Sequence, residues 1–338
     1  MRILGSPAAG LVVTQTPLRI SFAGGGTDLP AFYERDGGAV FSTAIDKYVY
    51  VTVKRHGPVF DERVRLNYSV SESVSEIEAI RNDIARECLR FLEIEPPIYV
   101  SVVSDLPDSS GLGGSSAFAV GLLNALHTYR GERVSAGQLA EEACHIEIDV
   151  LGQPIGKQDQ YAAAVGGLNL LRFMPGGDVA VVGQRMSPIA TSMFDRMLLL
   201  WTGHQRRAGA VLEEQRARTE ENADLLRQMR DQALELQGLM AGPTPDPSAF
   251  GAILDAGWSM KRRLASTISN ADIDRWYATA REAGADGGKL CGAGAGGFML
   301  ILADPALHPA IIEALPELAH VSVAYEAHGT RVLLAQLD

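Results

Sequence analysis

Residues 109–117 read SSGLGGSSA, a glycine- and serine-rich segment between a predicted strand and a predicted helix. Glycine lets backbone amides approach an anion closely, and the N-terminal end of a helix adds positive potential at the same place. Because no Lys-Ser or Lys-Thr pair follows the last glycine, this is not a Walker A loop. An apolar helix follows without a spacer, which disfavours a flexible linker. The segment therefore predicts a phosphate-binding loop whose ligands are Gly111, Gly113, Gly114, Ser115 and Ser116.

The segment GQPIGKQDQ at 152–160 contains a predicted tight turn, and a carboxylate lies on either side of it. Glu147 comes before the turn and Asp159 comes after it. Such a pair suits a kinase, because one carboxylate can bind the metal while the other faces the hydroxyl that accepts the phosphoryl group. Taken alone, either acid could equally be a solvated surface charge.

A third glycine-rich segment, CGAGAGGF at 291–298, precedes a predicted strand. A dinucleotide-binding fingerprint also has spaced glycines, but it follows a strand and opens a helix. The reversed order here argues against a nicotinamide-dependent oxidoreductase. By itself this segment says little more about function.

Together with PLRISFAGGGTD at 17–28, these three segments resemble the signatures of the GHMP kinases, the family of galactokinase, homoserine kinase, mevalonate kinase and phosphomevalonate kinase. The four patterns follow the family's order, and the resemblance spans about residues 12–336. Within the family, GGGTDLP, GKQDQYAAAVGGLN and KLCGAGAGGF are most similar to the D-glycero-D-manno-heptose 7-phosphate kinases. Those enzymes phosphorylate the anomeric hydroxyl of a heptose phosphate on the way to nucleotide-activated heptose.

The resemblance implies ATP and Mg²⁺ as cofactors, and a sugar or sugar phosphate as the small-molecule partner. Asp159 matches the family's catalytic aspartate, and Arg19 matches the basic residue beside the transferred phosphate. Glu147 and Ser115 match the magnesium ligands. The family usually has serine directly after GLG, where this chain has glycine, so the choice between Ser115 and Ser116 stays open.

The same resemblance assigns the substrate side of the site to the first and third motifs. Asp28 matches the acid that binds sugar hydroxyls, and the loop at 292–297 matches the one that shapes the cleft near the acceptor. The residues expected to contact the substrate there are Gly25, Gly26, Thr27, Asp28 and Gly294.

A phosphate group on the acceptor would need cations of its own. Lys157 lies next to the catalytic turn, and Arg206 opens a predicted helix whose amide donors are free, so both are candidates. The Lys-Arg-Arg run at 261–263 forms another basic cluster. For each of these side chains alone, full solvation is the commoner situation.

Two other functions stay open at this stage. The acceptor could be L-fucose or another unphosphorylated sugar, which Thr27 and Asp28 would fit equally well. A non-catalytic sensor that binds sugar or ATP is disfavoured, because a sensor has no reason to retain the full set of catalytic residues.

The composition is that of an ordinary globular protein, with 338 residues of which 46% are hydrophobic and 21% charged. The formal net charge is -11 and no block of lysine or arginine stands out, which argues against nucleic acid as a partner. No run approaches the ~20 apolar residues of a membrane helix, so we expect no membrane partner. The oligomeric state, monomer or homodimer, is open.

The three cysteines lie far apart and match neither a disulfide framework nor a zinc site. The first residues make a poor signal peptide, because Gly5, Pro7 and Gly10 interrupt the apolar positions. A reducing cytoplasm is the expected location.

The predicted elements indicate an α+β fold with a boundary near 186–196. The resemblance implies a two-domain GHMP kinase fold, with a ribosomal protein S5 domain 2-like domain at 1–190 and a ferredoxin-like domain at 191–338. Among the predicted helices, one at 75–92 has Ser75 and Glu78 as a capping box. Other predicted elements are strands at 11–22, 38–55, 298–303 and 330–336, and helices at 136–149 and 208–240.

Overall fold

The computed structural model describes residues 9–57, 59–204, 209–242 and 246–336. These residues form two β-sheets with helices packed against them. The strands are β1 Leu11–Ala23, β2 Gly38–Arg55, β3 Val64–Asn67, β4 Ser71–Val74, β5 Ile98–Ser104, β6 Leu168–Phe173, β7 Val179–Gln184, β8 Met197–Trp201, β9 Gly287–Leu290, β10 Phe298–Leu302, β11 Ala319–Val321 and β12 Arg331–Gln336. The α-helices are α1 Pro30–Asp36, α2 Asp83–Phe91, α3 Gly114–Arg130, α4 Ala136–Cys144, α5 Gln158–Val165, α6 Pro188–Asp195, α7 Gly209–Ala217, α8 Ala223–Ala241, α9 Pro247–Lys261, α10 Ala271–Glu282 and α11 His308–Ala314. Short 3₁₀ turns lie at Ile77–Ala79 and Pro305–Leu307, and a π-helical turn follows α4 at His145–Val150.

The larger sheet has eight strands in the order β12-β1-β2-β5-β3-β4, with β6 beside β2 and β7 beside β6. Its pairings are antiparallel except for the parallel one between β3 and β5. At 18 residues, β2 is long enough to pair with β6 through its first part and with β5 through its last part. Helix α3 packs across β1 and β2, and the amide of Arg19 in β1 donates to the carbonyl of Leu112, just before the helix begins.

The smaller sheet is antiparallel throughout, in the order β11-β8-β10-β9. Its central strand β10 is apolar at every position because both of its faces are buried. Phe298, Leu300 and Leu302 face the core that surrounds the larger sheet, whereas Met299 and Ile301 face the core formed with α9 and α10. The alternation of side chains along one strand therefore joins the two halves of the molecule.

The mixed order of strands and helices confirms the predicted α+β class, and the structure arranges the described strands in two sheets. The last described strand, β12, pairs with β1 and so belongs to the larger sheet. The division into 1–190 and 191–338 stays a prediction. Every helix in the described ranges is too short or too polar to cross a membrane.

Two predicted helices differ from those in the structure. The helix predicted at 75–92 begins only at Asp83, with the Asn82 side chain accepting from the amide of Ala85. The capping box of Ser75 and Glu78 is wrong, because the buried Glu72 carboxylate accepts from the amides of Arg81 and Asn82 and holds the chain in a turn before the helix. The helix predicted at 208–240 is two helices, α7 and α8, and between them the Asn222 side chain donates to the carbonyl of Leu264.

Candidate active site

A cavity of about 490 Å³ lies between elements packed on the larger sheet and elements packed on the smaller sheet. Residues from all four motif segments line it, although these segments are far apart in sequence. The predicted site residues in its wall are Arg19, Gly25, Gly26, Asp28, Gly111, Gly113, Gly114, Ser115, Ser116, Glu147, Asp159 and Gly294.

The phosphate loop depends on glycine at two positions with left-handed backbone. Gly111 has φ 82° and Gly113 has φ 78°, and Gly113 caps the 17-residue helix α3. The amides at the start of α3 have no partner within the helix, and Gly114, Ser115 and Ser116 line the cavity. The loop therefore presents a helix N-terminus to any anion in the cavity.

Arg19 and Asp159 form a bidentate ion pair in the wall of the cavity. The Arg19 Nε donates to Asp159 Oδ1 and its Nη2 to Asp159 Oδ2, both at 2.7 Å. The remaining Nη1 donates to the carbonyl of Gly111 at 2.8 Å. One side chain from β1 thus links the catalytic candidate on α5 to the phosphate loop, so the three parts keep a fixed geometry.

Glu147 is fully buried and its two oxygens are held separately. Ser115 Oγ donates to Oε1 and Gln160 Nε2 donates to Oε2, both at 2.7 Å. Burial raises the pKa of Glu147 to about 6, against the hydrogen bonds from Ser115, Ser116 and Gln160, which lower it. Within the described ranges no cationic side chain pairs with this carboxylate.

These residues fit a nucleotide-bound magnesium ion. A hydroxyl and a carboxylate are the hard oxygen ligands that Mg²⁺ takes, and the buried Glu147 carboxylate has no cationic partner among the described residues. No cluster of three or more His, Cys, Asp or Glu in the described ranges could hold a metal without further ligands. Mg²⁺ bound mainly through phosphates, with Ser115 and Glu147 as its protein ligands, is consistent with both facts.

Asp28 is buried beside Asp159 in the wall of the cavity. Its Oδ1 accepts from the amide of Gly26 at 3.0 Å and its Oδ2 from the amide of Gln158 at 3.2 Å. Burial, and then the charge of Asp159, raise the pKa of Asp28. A Cβ on Gly156 would lie 2.0 Å from Asp28 Oδ2, so only glycine fits beside this carboxyl.

Comparison with known proteins gives the family. Two family models match, GHMP kinases N terminal domain over residues 77–167 and GHMP kinases C terminal over 234–320. The D-glycero-alpha-D-manno-heptose 7-phosphate kinase of Campylobacter jejuni is 31% identical over 317 residues, which is 89% of this chain and 92% of the relative. The chain belongs to the GHMP kinases. It is therefore a phosphotransferase.

Other relatives of this GHMP kinase support the same fold. The crystal structure of a D-glycero-D-manno-heptose 1-phosphate kinase from Bacteroides thetaiotaomicron matches with a TM-score of 0.78 and 23% identity, covering 96% of this chain and 99% of that one. A galactokinase from Lactococcus lactis matches with a TM-score of 0.72 and 17% identity, over 95% of each chain. The bifunctional fucokinase/GDP-fucose pyrophosphorylase of Arabidopsis thaliana is 24% identical over 86% of this chain but only 30% of its own length.

Of the other three predicted substrate contacts of this GHMP kinase, Thr27 and Lys157 are not brought to the cavity. Thr27 is buried behind it, with its hydroxyl donating to the carbonyls of Gly24 and Ala39. The Lys157 ammonium donates to the Gly177 carbonyl at 2.8 Å instead. Neither residue is among the described residues that line the cavity. Arg206, the third, lies outside the described residues.

The structure instead adds two lysines to the cavity wall of this GHMP kinase. Lys261 closes α9 and Lys289 lies in β9, and both are buried. Lys261 follows Trp258 by three positions and Leu254 by seven, so it lies on the apolar face of its helix. That spacing was visible in the sequence and distinguishes Lys261 from the two arginines after it.

Proposed function

We propose that this GHMP kinase transfers the terminal phosphoryl group of ATP to the anomeric hydroxyl of D-glycero-D-manno-heptose 7-phosphate, giving the 1,7-bisphosphate. The observation that carries the proposal is the convergence of the Arg19–Asp159 pair and the Ser115–Glu147 pair at the start of α3 in one cavity. The choice of acceptor is drawn from the Campylobacter jejuni relative, whose printed name specifies the heptose 7-phosphate.

The phosphate loop and the metal ligands would bind the nucleotide. Ser115 and Glu147 would hold Mg²⁺, which supplies positive charge to the β- and γ-phosphates when bound with ATP. The free amides at the start of α3 donate to phosphate oxygens, and the helix dipole neutralises further charge. Arg19, already fixed by Asp159 and Gly111, places a guanidinium beside the group that is transferred.

Asp159 would orient the acceptor hydroxyl and take its proton. The acceptor oxygen bonds to the γ-phosphorus while the bond to the β–γ bridging oxygen breaks, and ADP leaves with that oxygen. A carboxylate is a weak base for an alcohol, so the proton moves to Asp159 late, once the new bond has made the oxygen acidic. An anomeric hydroxyl is more acidic than an ordinary alcohol and eases this transfer.

A panel of acceptors and donors tests the proposal. We expect kcat/KM for heptose 7-phosphate with ATP to exceed that for free heptose, L-fucose or galactose by about 100-fold or more, a difference worth about 2.7 kcal/mol. ADP release under initial-rate conditions is the measurement, with GTP as the alternative donor. A preference for L-fucose would favour the fucokinase alternative, which the Arabidopsis relative supports at 24% identity. The cytoplasmic location and the oligomeric state stay predictions.

A further inference from the structure

Lys261 and Lys289 are buried cations in the wall of the cavity, where no role has been assigned to them. Lys261 and Lys289 are each 7% exposed. Lys289 Nζ donates to the carbonyls of Ser21 at 2.8 Å and Phe22 at 3.1 Å. Lys261 Nζ donates to the carbonyl of Leu290 at 3.2 Å and to that of Gly292. Since an ammonium has three N–H donors, each lysine keeps one that no acceptor in the described ranges uses.

Ser21 adds a third unused donor at the same wall. It lines the cavity, it is 8% exposed, and its hydroxyl has no hydrogen-bond partner among the described residues. Lys289 binds the carbonyl of this same residue, so the two donors are neighbours. A buried donor without an acceptor costs about 1–3 kcal/mol, which a ligand with several acceptor oxygens would recover.

The charge at this wall is also uncompensated. Arg19, the other cation in the described lining, is neutralised by Asp159, but among the residues that the structure describes no carboxylate lowers the electrostatic cost of either lysine. Burial lowers the pKa of Lys289 to about 8 and that of Lys261 well below its usual range. An anion between the two ammonium groups would favour the charged form of both.

A phosphate monoester matches this wall in charge and in number of donors. It carries about two negative charges at neutral pH and three terminal oxygens that accept hydrogen bonds. Under the proposed function, the α3 amides, Arg19 and the metal ligands would serve the nucleotide phosphates, which leaves the two lysines for a second anion. Of the two cations predicted for the acceptor's phosphate, Lys157 faces the Gly177 carbonyl instead, and Arg206 lies outside the described residues.

We propose that Lys261, Lys289 and Ser21 bind the phosphate group that the acceptor already carries, as distinct from the phosphate that the enzyme transfers. The inference rests on the proposed function for the class of acceptor. It also gives a reason why the enzyme would select a phosphorylated sugar over a free one, because the free sugar would leave three buried donors unpaired.

The kinetic test compares Lys261→Met and Lys289→Met with Arg263→Met, a matched control at an exposed position on the same segment. Each lysine variant is expected to raise KM for heptose 7-phosphate by about 10- to 100-fold, the range for a lost hydrogen bond to a charged group. KM for ATP and kcat/KM for free heptose should stay within about twofold, and Arg263→Met should behave as the parent. An equal loss with both acceptors would overturn the assignment.

A binding experiment keeps this inference separate from the proposed function. Inorganic phosphate is titrated calorimetrically into the full chain saturated with Mg²⁺ and a non-hydrolysable ATP analogue, so that the γ-phosphate position is filled. We expect saturable phosphate binding in the parent and in Arg263→Met, and its loss in both lysine variants. Such binding in a parent that does not turn over heptose 7-phosphate would overturn the proposed function alone.

Two results, one from this titration and one from a separate titration of the ATP analogue, would overturn the inference. One is no saturable phosphate binding to the nucleotide-loaded parent, and the other is weaker binding of the ATP analogue in folded lysine variants, which would place the lysines at the nucleotide. Thermal unfolding reports whether each variant is folded. If a lysine variant does not fold, Ser21→Ala tests the same wall, and an unchanged KM for heptose 7-phosphate there would contradict the assignment.

Discussion

Asp159 and Arg19 show how a pair of side chains can be positioned before any substrate binds. The two hydrogen bonds between them, both at 2.7 Å, and the third from Arg19 to the Gly111 carbonyl remove most of the freedom of both side chains. Because these charges are already oriented, the reaction requires no further reorganisation of the two side chains.

Replacing Asp159 by asparagine should abolish proton acceptance while keeping the shape of the side chain. We expect kcat to fall by about 10³-fold, within the usual range for general base catalysis, with KM for ATP changed little. Initial rates on heptose 7-phosphate measure this. Asp178→Asn, at an exposed hairpin position, is the matched control and should keep the parental rate. A parental rate for Asp159→Asn would remove Asp159 from the mechanism.

The pH dependence of kcat/KM for heptose 7-phosphate should reveal the ionisation of Lys289. Burial lowers its pKa to about 8, so its ammonium is charged below that pH and neutral above it. Because only the charged form attracts phosphate, kcat/KM for heptose 7-phosphate should fall as pH rises through about 8, approaching tenfold per unit. The acceptor's phosphate is already fully ionised there, with a second pKa of about 6.

The same profile in Lys289→Met should lack this fall, and so should the parent acting on free heptose. An identical alkaline limb in all three measurements would assign the titration to another group.

At the residue scale, the motifs predicted four side chains that the structure brings to one cavity, but not the role proposed for Lys261, Lys289 and Ser21 in its wall. Asp159, Glu147, Ser115 and Arg19 converge because each lies at a fixed place in a motif. Lys157 is adjacent to the catalytic turn in sequence, yet its ammonium points to the Gly177 carbonyl. Adjacency along a chain does not fix the direction of a long flexible side chain.

At the scale of elements, the π-helical turn at His145–Val150 is what the sequence could not predict. The pattern indicated an α-helix over 136–149, and α4 does begin at Ala136, with the Ser135 side chain accepting from the amide of Gln138. The last turn widens into the π-helical turn, which contains Glu147. The Ser115 hydroxyl donates to the Glu147 carboxylate there. π-turns are rare and often mark functional sites, and their hydrophobic pattern does not differ from that of an α-helix.

Gly111 and Gly114 provide a matched pair of alanine variants for comparing the free energy of unfolding. A Cβ on Gly111 would lie 2.7 Å from the Cys291 carbonyl at φ +82°, whereas one on Gly114 would meet nothing within 4 Å. We expect Gly111→Ala to lose at least about 2 kcal/mol of unfolding free energy, from backbone strain and this clash. Gly114→Ala should be neutral or gain up to about 1 kcal/mol, because alanine favours helix.

Denaturant unfolding of the two variants measures the difference. Equal loss in both would mean that the contact between the loop at 109–113 and the loop at 291–297 does not constrain the chain as described.

At the scale of the whole molecule, contacts between the two glycine loops join the halves at the site. Gly292 packs against Gly111, and the amide of Phe298 donates to the Ser110 carbonyl at 3.1 Å. The strands at 11–22, 38–55, 298–303 and 330–336 agree closely with the structure, since long apolar or alternating runs fix strands well. The pairing of β12 with β1, from opposite ends of the chain, has no local signal and needed coordinates.

Binding of Mg²⁺ with a non-hydrolysable ATP analogue should stabilise the whole chain. At about 100 times Kd the gain is about 2.7 kcal/mol, which corresponds to a rise in Tm of about 4 °C for a protein of this size. Glu147→Gln should lose the part of this rise that depends on magnesium, because it removes a charged metal ligand. Differential scanning fluorimetry with and without EDTA measures it. The same rise in the presence of EDTA would argue against a metal site at Ser115 and Glu147.

The central claim is that Arg19, Asp159, Ser115 and Glu147 act together to phosphorylate an anomeric hydroxyl. Phosphorus NMR of the reaction with heptose 7-phosphate and ATP tests it. The account predicts a new phosphate signal split by the anomeric proton, with the original 7-phosphate signal retained and ADP formed in equal amount. The same mixture with Asp159→Asn should show neither product. ADP without an anomeric phosphate, or a new phosphate on another carbon, would contradict the account.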